Sequence, residues 1–303
     1  MDYHTVARIP QNHYQGSTKP AGILQEVALK RKRNIGIIVL QIAIMKTTAL
    51  IPLLLVILSF FVFMPAGISQ PSPFSSQVFV NEKGDSLLYR QLIPDYAVGR
   101  CYPLVVFLHG AGERGKDNDA QLKWGVTNFG NDENKKLHPA IVIAPQCPDS
   151  LDWASITCDN KIQKCILNNA PSKPMQLLIA LIHELSAKLA IDTNRIYITG
   201  LSMGGVGTYE AIQRYPHLFA AAVPVCAAGD TSRATAMKDV PIWIFHGAED
   251  GGISPAYPLS MVEALTRAGA HPGYTQYPEV GHFAWTAAYS DPMMFEWMFR
   301  QHK

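Results

Sequence analysis

"YITGLSMGGVGTYEAI", residues 197–212, decides how this chain is read. A β-branched run climbs to Gly200, Ser202 follows two positions later, and two further glycines open a stretch with helical spacing. A serine between glycines at a strand-to-helix junction has a physical purpose. The sharp turn strains the serine backbone and lifts its hydroxyl above the sheet, and glycines two residues to either side remove Cβ atoms that would clash. The helix N-terminus behind it favours the negative charge that develops when the hydroxyl attacks. The bland reading of the same residues is a glycine-rich turn with a helix-capping serine.

A serine hydroxyl needs a base, and the base needs an orienting acid. In an open α/β sheet with this turn, the chain order is serine, acid, histidine. "PIWIFHGAEDGG" (241–252) is an apolar strand that ends in a polar turn with Asp250, and Glu249 beside it is the competing acid. "YPEVGHFAW" (277–285) is a last strand followed by a loop with His282. His271 precedes Pro272 at the wrong end of that strand, and His302 lies in the tail. His109 and His246 come before the acid. The oxyanion needs two N–H donors. "VVFLHGAGERG" (105–115) opens from a strand into a glycine-rich turn that offers Ala111, with Gly112 as second choice, and Met203 after the serine offers the other. Asp250 and His282 thus belong to the carboxyl edge of the sheet, where Ser202 sits and where ligands bind.

Composition is compatible with this chemistry. The chain has 303 residues, 48% hydrophobic and 17% charged, ample for one large α/β domain. Residues 1–69 hold seven Lys/Arg against two acids, and the remainder holds 19 against 22. The body is therefore slightly acidic and has no electrostatic footprint for nucleic acid. "MKTTALIPLLLVILSFFVFMPAGISQ" (45–70) has a positive start, an apolar run and small residues at 67 and 69, the pattern of a signal peptide cleaved before Gln70. The competing reading is a retained membrane anchor over about 47–64 with a basic flank. Both put the body outside the cytoplasm, in the periplasm or beyond the cell. Residues 1–44 are expected to precede the true start at Met45. Cys158 and Cys165 share the polar loop "CDNKIQKC", a pair able to bridge, whereas Cys226 in "AAAVPVCAAG" reads as a core thiol. No spacing suggests a metal, and no cofactor is expected.

Along the body, a linker at 70–76 precedes a single domain over 77–303. Strands are predicted at 77–81, 86–93, 103–108, 140–144, 195–199, 221–226, 241–246 and 273–278. Helices are predicted around 119–129, 175–190, 203–214, 257–269 and 291–301. The first strands lack an intervening helix, so they should form an antiparallel edge. Alternation thereafter, with strands apolar on both faces, predicts a mostly parallel sheet with helices on both sides. Residues 145–173 read as one long loop beside the site. Within it Trp153 is either a stacking platform for a sugar or aromatic acyl group or a packing plug. Phe283 and Trp285 are placed to wall a substrate pocket.

"YPLVVFLHGAGERG", "AIVIAPQC", "GLSMGG", "FHGAEDGGI" and "VGHFAW", in this order, resemble the α/β-hydrolase superfamily over roughly residues 77–303. The resemblance is to its exported esterase branch: phospholipase/carboxylesterase, esterase-D-like, polyhydroxybutyrate-depolymerase-like and feruloyl-esterase-like proteins, often labelled predicted peptidases. It implies Ser202 as nucleophile, Asp250 as acid, His282 as base, and Ala111 with Met203 as oxyanion hole. Glu113, Arg114 and Trp124 match family turns with structural roles. Dienelactone-hydrolase relatives carry cysteine at the nucleophile, where this chain has serine. The implied activity is a serine carboxylesterase working through an acyl-enzyme on small or polysaccharide-linked acyl or feruloyl esters. The alternatives are a serine peptidase of the same fold and a non-catalytic binding protein. Membrane contact follows only if residues 47–64 are retained.

Overall fold

The computed structural model describes residues 29–33, 36, 72–95 and 97–303. The chain divides into two units, 1–70 and 71–303. In the first, residues 29–33 form an exposed helical stretch. The signal-peptide and anchor readings, cleavage before Gln70 included, fall outside the described residues. Among the described residues no helix is long and apolar enough to cross a membrane.

The second unit is built on one eight-stranded sheet. Its strands are β1 (Ser75–Val80), β2 (Ser86–Leu92), β3 (Tyr102–Leu108), β4 (Ile141–Pro145), β7 (Ile191–Leu201), β8 (Ala221–Val225), β9 (Trp243–Gly247) and β10 (Gly273–Tyr277). They lie in the order β1-β2-β4-β3-β7-β8-β9-β10. β1 and β2 pair antiparallel, as does β2 with β4, and every later pairing is parallel. All eight strands read from the sequence are present, with the expected antiparallel N-terminal edge.

β3 shows why the sheet needs helices on both sides. Leu104, Val106 and Leu108 point into one apolar cluster and Val105 and Phe107 into the other, and all five are fully buried. Side chains alternate faces along a strand, so a run apolar at every position must be covered twice. One cover carries α2 (Lys173–Lys188), α3 (Met203–Arg214) and α4 (Ala256–Arg267), through Leu178, Leu181, Ile212 and Leu265. The other carries α5 (Trp285–Ala288) and α6 (Pro292–Phe299), through Trp285, Phe295 and Met298.

The strand order positions the site. After β3 the chain steps to one side to form β4, then crosses to β3's other flank for β7. Connections therefore diverge at the carboxyl ends of β3 and β7, and a crevice opens there. The turn with Ala111 follows β3, and Ser202 follows β7.

Three elements differ from the sequence reading. The helix expected over 119–129 is two 3-10 turns, Ala120–Leu122 and Val126–Gly130. Gly125 interrupts them at φ +73°, where a Cβ would collide with the Tyr289 ring. A further short helix, α1 (Asp132–Leu137), starts at Asn131, whose side chain accepts the Asn134 N–H. Residues 145–173 are not one irregular loop. They contain an antiparallel hairpin, β5 (Ile156–Asp159) and β6 (Lys164–Leu167). Cys158 and Cys165 face each other across it, Cα atoms 4.0 Å apart, and form a disulfide.

Candidate active site

Ser202 stands at φ +53°, ψ −119°, a conformation that costs a non-glycine residue of order 1–3 kcal/mol. Its N–H is tied to Val225 O at 2.9 Å, and α3 begins at the next residue. The serine does not cap that helix. Its Oγ instead lies 2.9 Å from His282 Nε2. The hydroxyl faces an imidazole, and the capping reading fails on geometry.

The glycines around it are required by close approach. A Cβ on Gly204 would collide with the Leu108 carbonyl, and one on Gly205 would sit 2.7 Å from Val225 O. α3 thus starts pressed against the exits of β3 and β8. Gly204→Ala is expected to destabilise the fold by several kcal/mol, because the blocking atom is backbone that cannot rotate away. Soluble yield and a urea midpoint check this, and a variant with a wild-type midpoint would contradict it.

His282 Nδ1 lies 2.8 Å from Asp250 Oδ2. Asp250 Oδ1 accepts the N–H groups of Gly252 (2.8 Å) and Ile253 (2.9 Å). Burial pushes the Asp250 pKa up, but hydrogen bonds from His246, His282 and Ile253 outweigh it and hold the carboxyl well below the usual carboxylate range. Glu249, the competing acid, is exposed, and its backbone N–H bonds Val280 O. The His282 ring is held between Gly252 and the edge of Trp285, 5.1 Å between ring centroids.

Ala111 opens the 3-10 turn Ala111–Glu113, and Met203 opens α3. First-turn N–H groups have no acceptor within their own helix, which suits both to meet an oxyanion. Gly112 is the next residue of the same turn. Two neighbours brace it. Glu113 is buried and bonds the Trp124 side chain and the Gly110 backbone. Arg114 bonds Leu151 O at 2.7 Å and pairs with Asp152 at the root of the hairpin segment.

His109 is structural. Its Nδ1–H donates to Gly110 O (2.6 Å), and its Nε2 accepts the Cys147 N–H (2.9 Å). Burial holds its pKa down at about 4. An unfolded histidine titrates near ~6.5. Between those values the unfolded chain binds a proton that the folded one refuses, so stability falls as pH drops through that window and levels off below it. The loss from this group is about 3 kcal/mol. Urea melts at both ends of the window, on wild type and His109→Gln, should show this component absent from the variant.

The substrate-pocket expectations need correction. Trp153 is fully buried, donates Nε1–H to His109 O at 3.1 Å, and packs where a Cβ on Gly207 would be. It is a plug, because no surface is left to stack on. Trp285 is buried against His282, and Phe283, 58% exposed, leans on Trp285 and Trp124. These aromatics form a ledge beside His282 rather than pocket walls.

A cavity of about 500 Å³ borders Met203 and Gly252, the neighbours of Ser202 and His282. Ile156, Met203, Val206, Ala228, Ile253 and Tyr257 give it apolar surface, and Asn160, Gln163 and Ser254 are polar. One wall is the disulfide-bonded hairpin. Glu210, fully buried, binds the Ser155 N–H and Arg214, and Asp230 binds the Leu167 N–H at 3.0 Å. Tyr257 OH reaches Asn160 Oδ1 at 2.7 Å. Sequence reading missed this wall because "ITCD" and "KCIL" are too short to announce strands. The paired cysteines were the available signal.

This fold and arrangement define a class: the chain has the α/β-hydrolase fold, shared with its solved structural neighbours. The model of the prolyl oligopeptidase family (Peptidase S9) matches residues 166–242, the stretch that carries the Ser202 turn. A crystal structure of a thermostable esterase is 38% identical, with TM-score 0.70, over 76% of this chain and 64% of that one. The poly(3-hydroxyalkanoate) depolymerase C of Paucimonas lemoignei is 27% identical over 208 residues, 59% of this chain and 47% of the relative. A ferulic acid esterase structure shares the fold at 14% identity and TM-score 0.57, over 75% of this chain and 96% of that one. The chain thus spans about half the length of the depolymerase.

Proposed function

We propose that this chain is a serine hydrolase of carboxylic esters that works through an acyl-enzyme. One observation carries the reading: an unbroken hydrogen-bond chain from Ser202 Oγ through His282 to Asp250, with the serine on a strained turn. Ser202 Oγ attacks the ester carbonyl while His282 Nε2 takes its proton. Asp250 keeps the other imidazole proton on Nδ1 and stabilises the imidazolium. The N–H groups of Ala111 and Met203 receive the developing oxyanion. His282 then returns the proton to the leaving alcohol, and water repeats the sequence to release the acid. The esterase relatives support this chemistry.

The substrate reading is a neutral acyl or aromatic acid group esterified to a small alcohol or a polysaccharide, feruloyl esters included. Asp152, paired with Arg114, lines the cavity, and no lysine, arginine or histidine does, which disfavours an anionic group, and the mixed surface suits a ring or short chain bearing hydroxyls. A panel of p-nitrophenyl, feruloyl and aminoacyl-amide substrates tests it. Ester turnover with feruloyl preference supports the reading. Faster cleavage of amides would favour a peptidase, the reading that the prolyl oligopeptidase match supports.

Export belongs to the same proposal. The Cys158–Cys165 disulfide is the kind of bond that persists in oxidising compartments. N-terminal sequencing of exported protein should begin near Gln70, and a start upstream of Met45 would refute cleavage there.

A further inference from the structure

We propose that His246 is a positioning residue for the acid of the site, a second imidazole that fixes Asp250 from the side opposite His282. The inference rests on the proposed roles of Ser202, His282 and Asp250. His246 is the penultimate residue of β9, four residues before Asp250, and both side chains are fully buried. Its Nε2 lies 2.9 Å from Ile253 O and 3.2 Å from Asp250 Oδ2. Both partners are acceptors, so Nε2 carries the proton and shares it between them. Its Nδ1 is buried without a partner, which fits a bare ring nitrogen and leaves a proton there with no acceptor.

The consequence is a carboxylate with every lone-pair direction spoken for. Oδ1 takes two backbone N–H groups, and Oδ2 takes one N–H from each histidine. Rotation about the Asp250 side chain would break several bonds at once. The His282 Nδ1–H therefore always finds Oδ2 in place, and its Nε2 stays bare towards Ser202. Ile253 joins the arrangement at both ends, since its N–H binds Oδ1 and its carbonyl binds His246.

The titratable groups around this centre are few. Cys226, at the end of β8, has its Sγ within 4.8 Å of the His246 and Asp250 ligand atoms. Burial, with Asp250 adding to it, pushes that thiol up to about 12, so it stays protonated and neutral. Tyr277 from β10 and Tyr289 face Cys226, and burial raises both phenols. Asp250 is thus the charge that His246 meets.

The test uses the side-chain geometry of glutamine and asparagine. A glutamine amide nitrogen falls near the position of imidazole Nε2, and an asparagine nitrogen falls near Nδ1. His246→Gln should keep kcat/KM on p-nitrophenyl acetate within about threefold, and His246→Asn should lose about ten- to a hundredfold, the value of a hydrogen bond to a charged group. In His246→Asn the acid limb of kcat/KM should also move to higher pH, because Oδ2 is then left to His282 alone and favours its imidazolium more. Equal activity in the two variants, or a loss with the limb unmoved, overturns the proposal. Asp250→Asn is assayed alongside: if it too keeps full activity, the triad reading is what fails. Should the variants not fold, ¹⁵N-histidine spectra of the unmodified protein decide. His246 protonated on Nε2 with Nδ1 bare supports the proposal, and the opposite tautomer overturns it.

Discussion

Ser202→Ala is expected to lose turnover of a simple ester by about 10⁶-fold, on the scale seen when a nucleophile acting with its base is removed. The geometry makes the loss this complete. Oγ is the hydroxyl held 2.9 Å from His282 Nε2. Alanine keeps the backbone at φ +53°, so the turn, the helix start and the oxyanion donors should persist. Labelling by a fluorophosphonate probe should vanish while the urea midpoint holds within about 1 kcal/mol. Substantial turnover in Ser202→Ala would place the chemistry elsewhere in the molecule.

Asp250→Asn should cost up to ~10⁴ in kcat, because an amide presents a donor where the His282 Nδ1–H needs an acceptor and the imidazole takes the wrong tautomer. Glu249→Gln should leave kcat within about twofold, since Glu249 is exposed and takes part through its backbone N–H alone. The pair is decisive on one substrate at one pH. Near-native turnover in Asp250→Asn with a crippled Glu249→Gln would reverse the assignment. The losses in Ser202→Ala and Asp250→Asn should not add, because the groups act as a unit.

Much of this was legible in the chain, for physical reasons. β3 and β9 bury both faces, so their apolar runs are unmistakable, and the turns after them had to hold polar residues at the sheet edge. The steric demand at Gly204 leaves a glycine where the helix meets β3. Asp250 and His282 followed from chain order. The cavity wall did not. β5 shows a mostly exposed face, and its pairing depends on contacts from Glu210 and Asp230, remote in sequence. Trp153 misled for the opposite reason: a large aromatic in a polar loop gives no local sign of whether a core will close over it. His246 precedes the acid, so chain order does not mark it; its closeness to Asp250 comes from the turn between them.

The hairpin that walls the cavity shares no residue with the proposed reacting groups. Ser202, Asp250 and His282 come from the ends of sheet strands, whereas residues 156–167 form their own small sheet with its own covalent tie. On the proposed reading, choice of substrate and rate of chemistry therefore rest on separate segments of the chain. On that reading, a change of length or sequence between the anchor points at Ser155 and Leu167 alters the cavity wall. The reacting atoms keep their spacing while it does so.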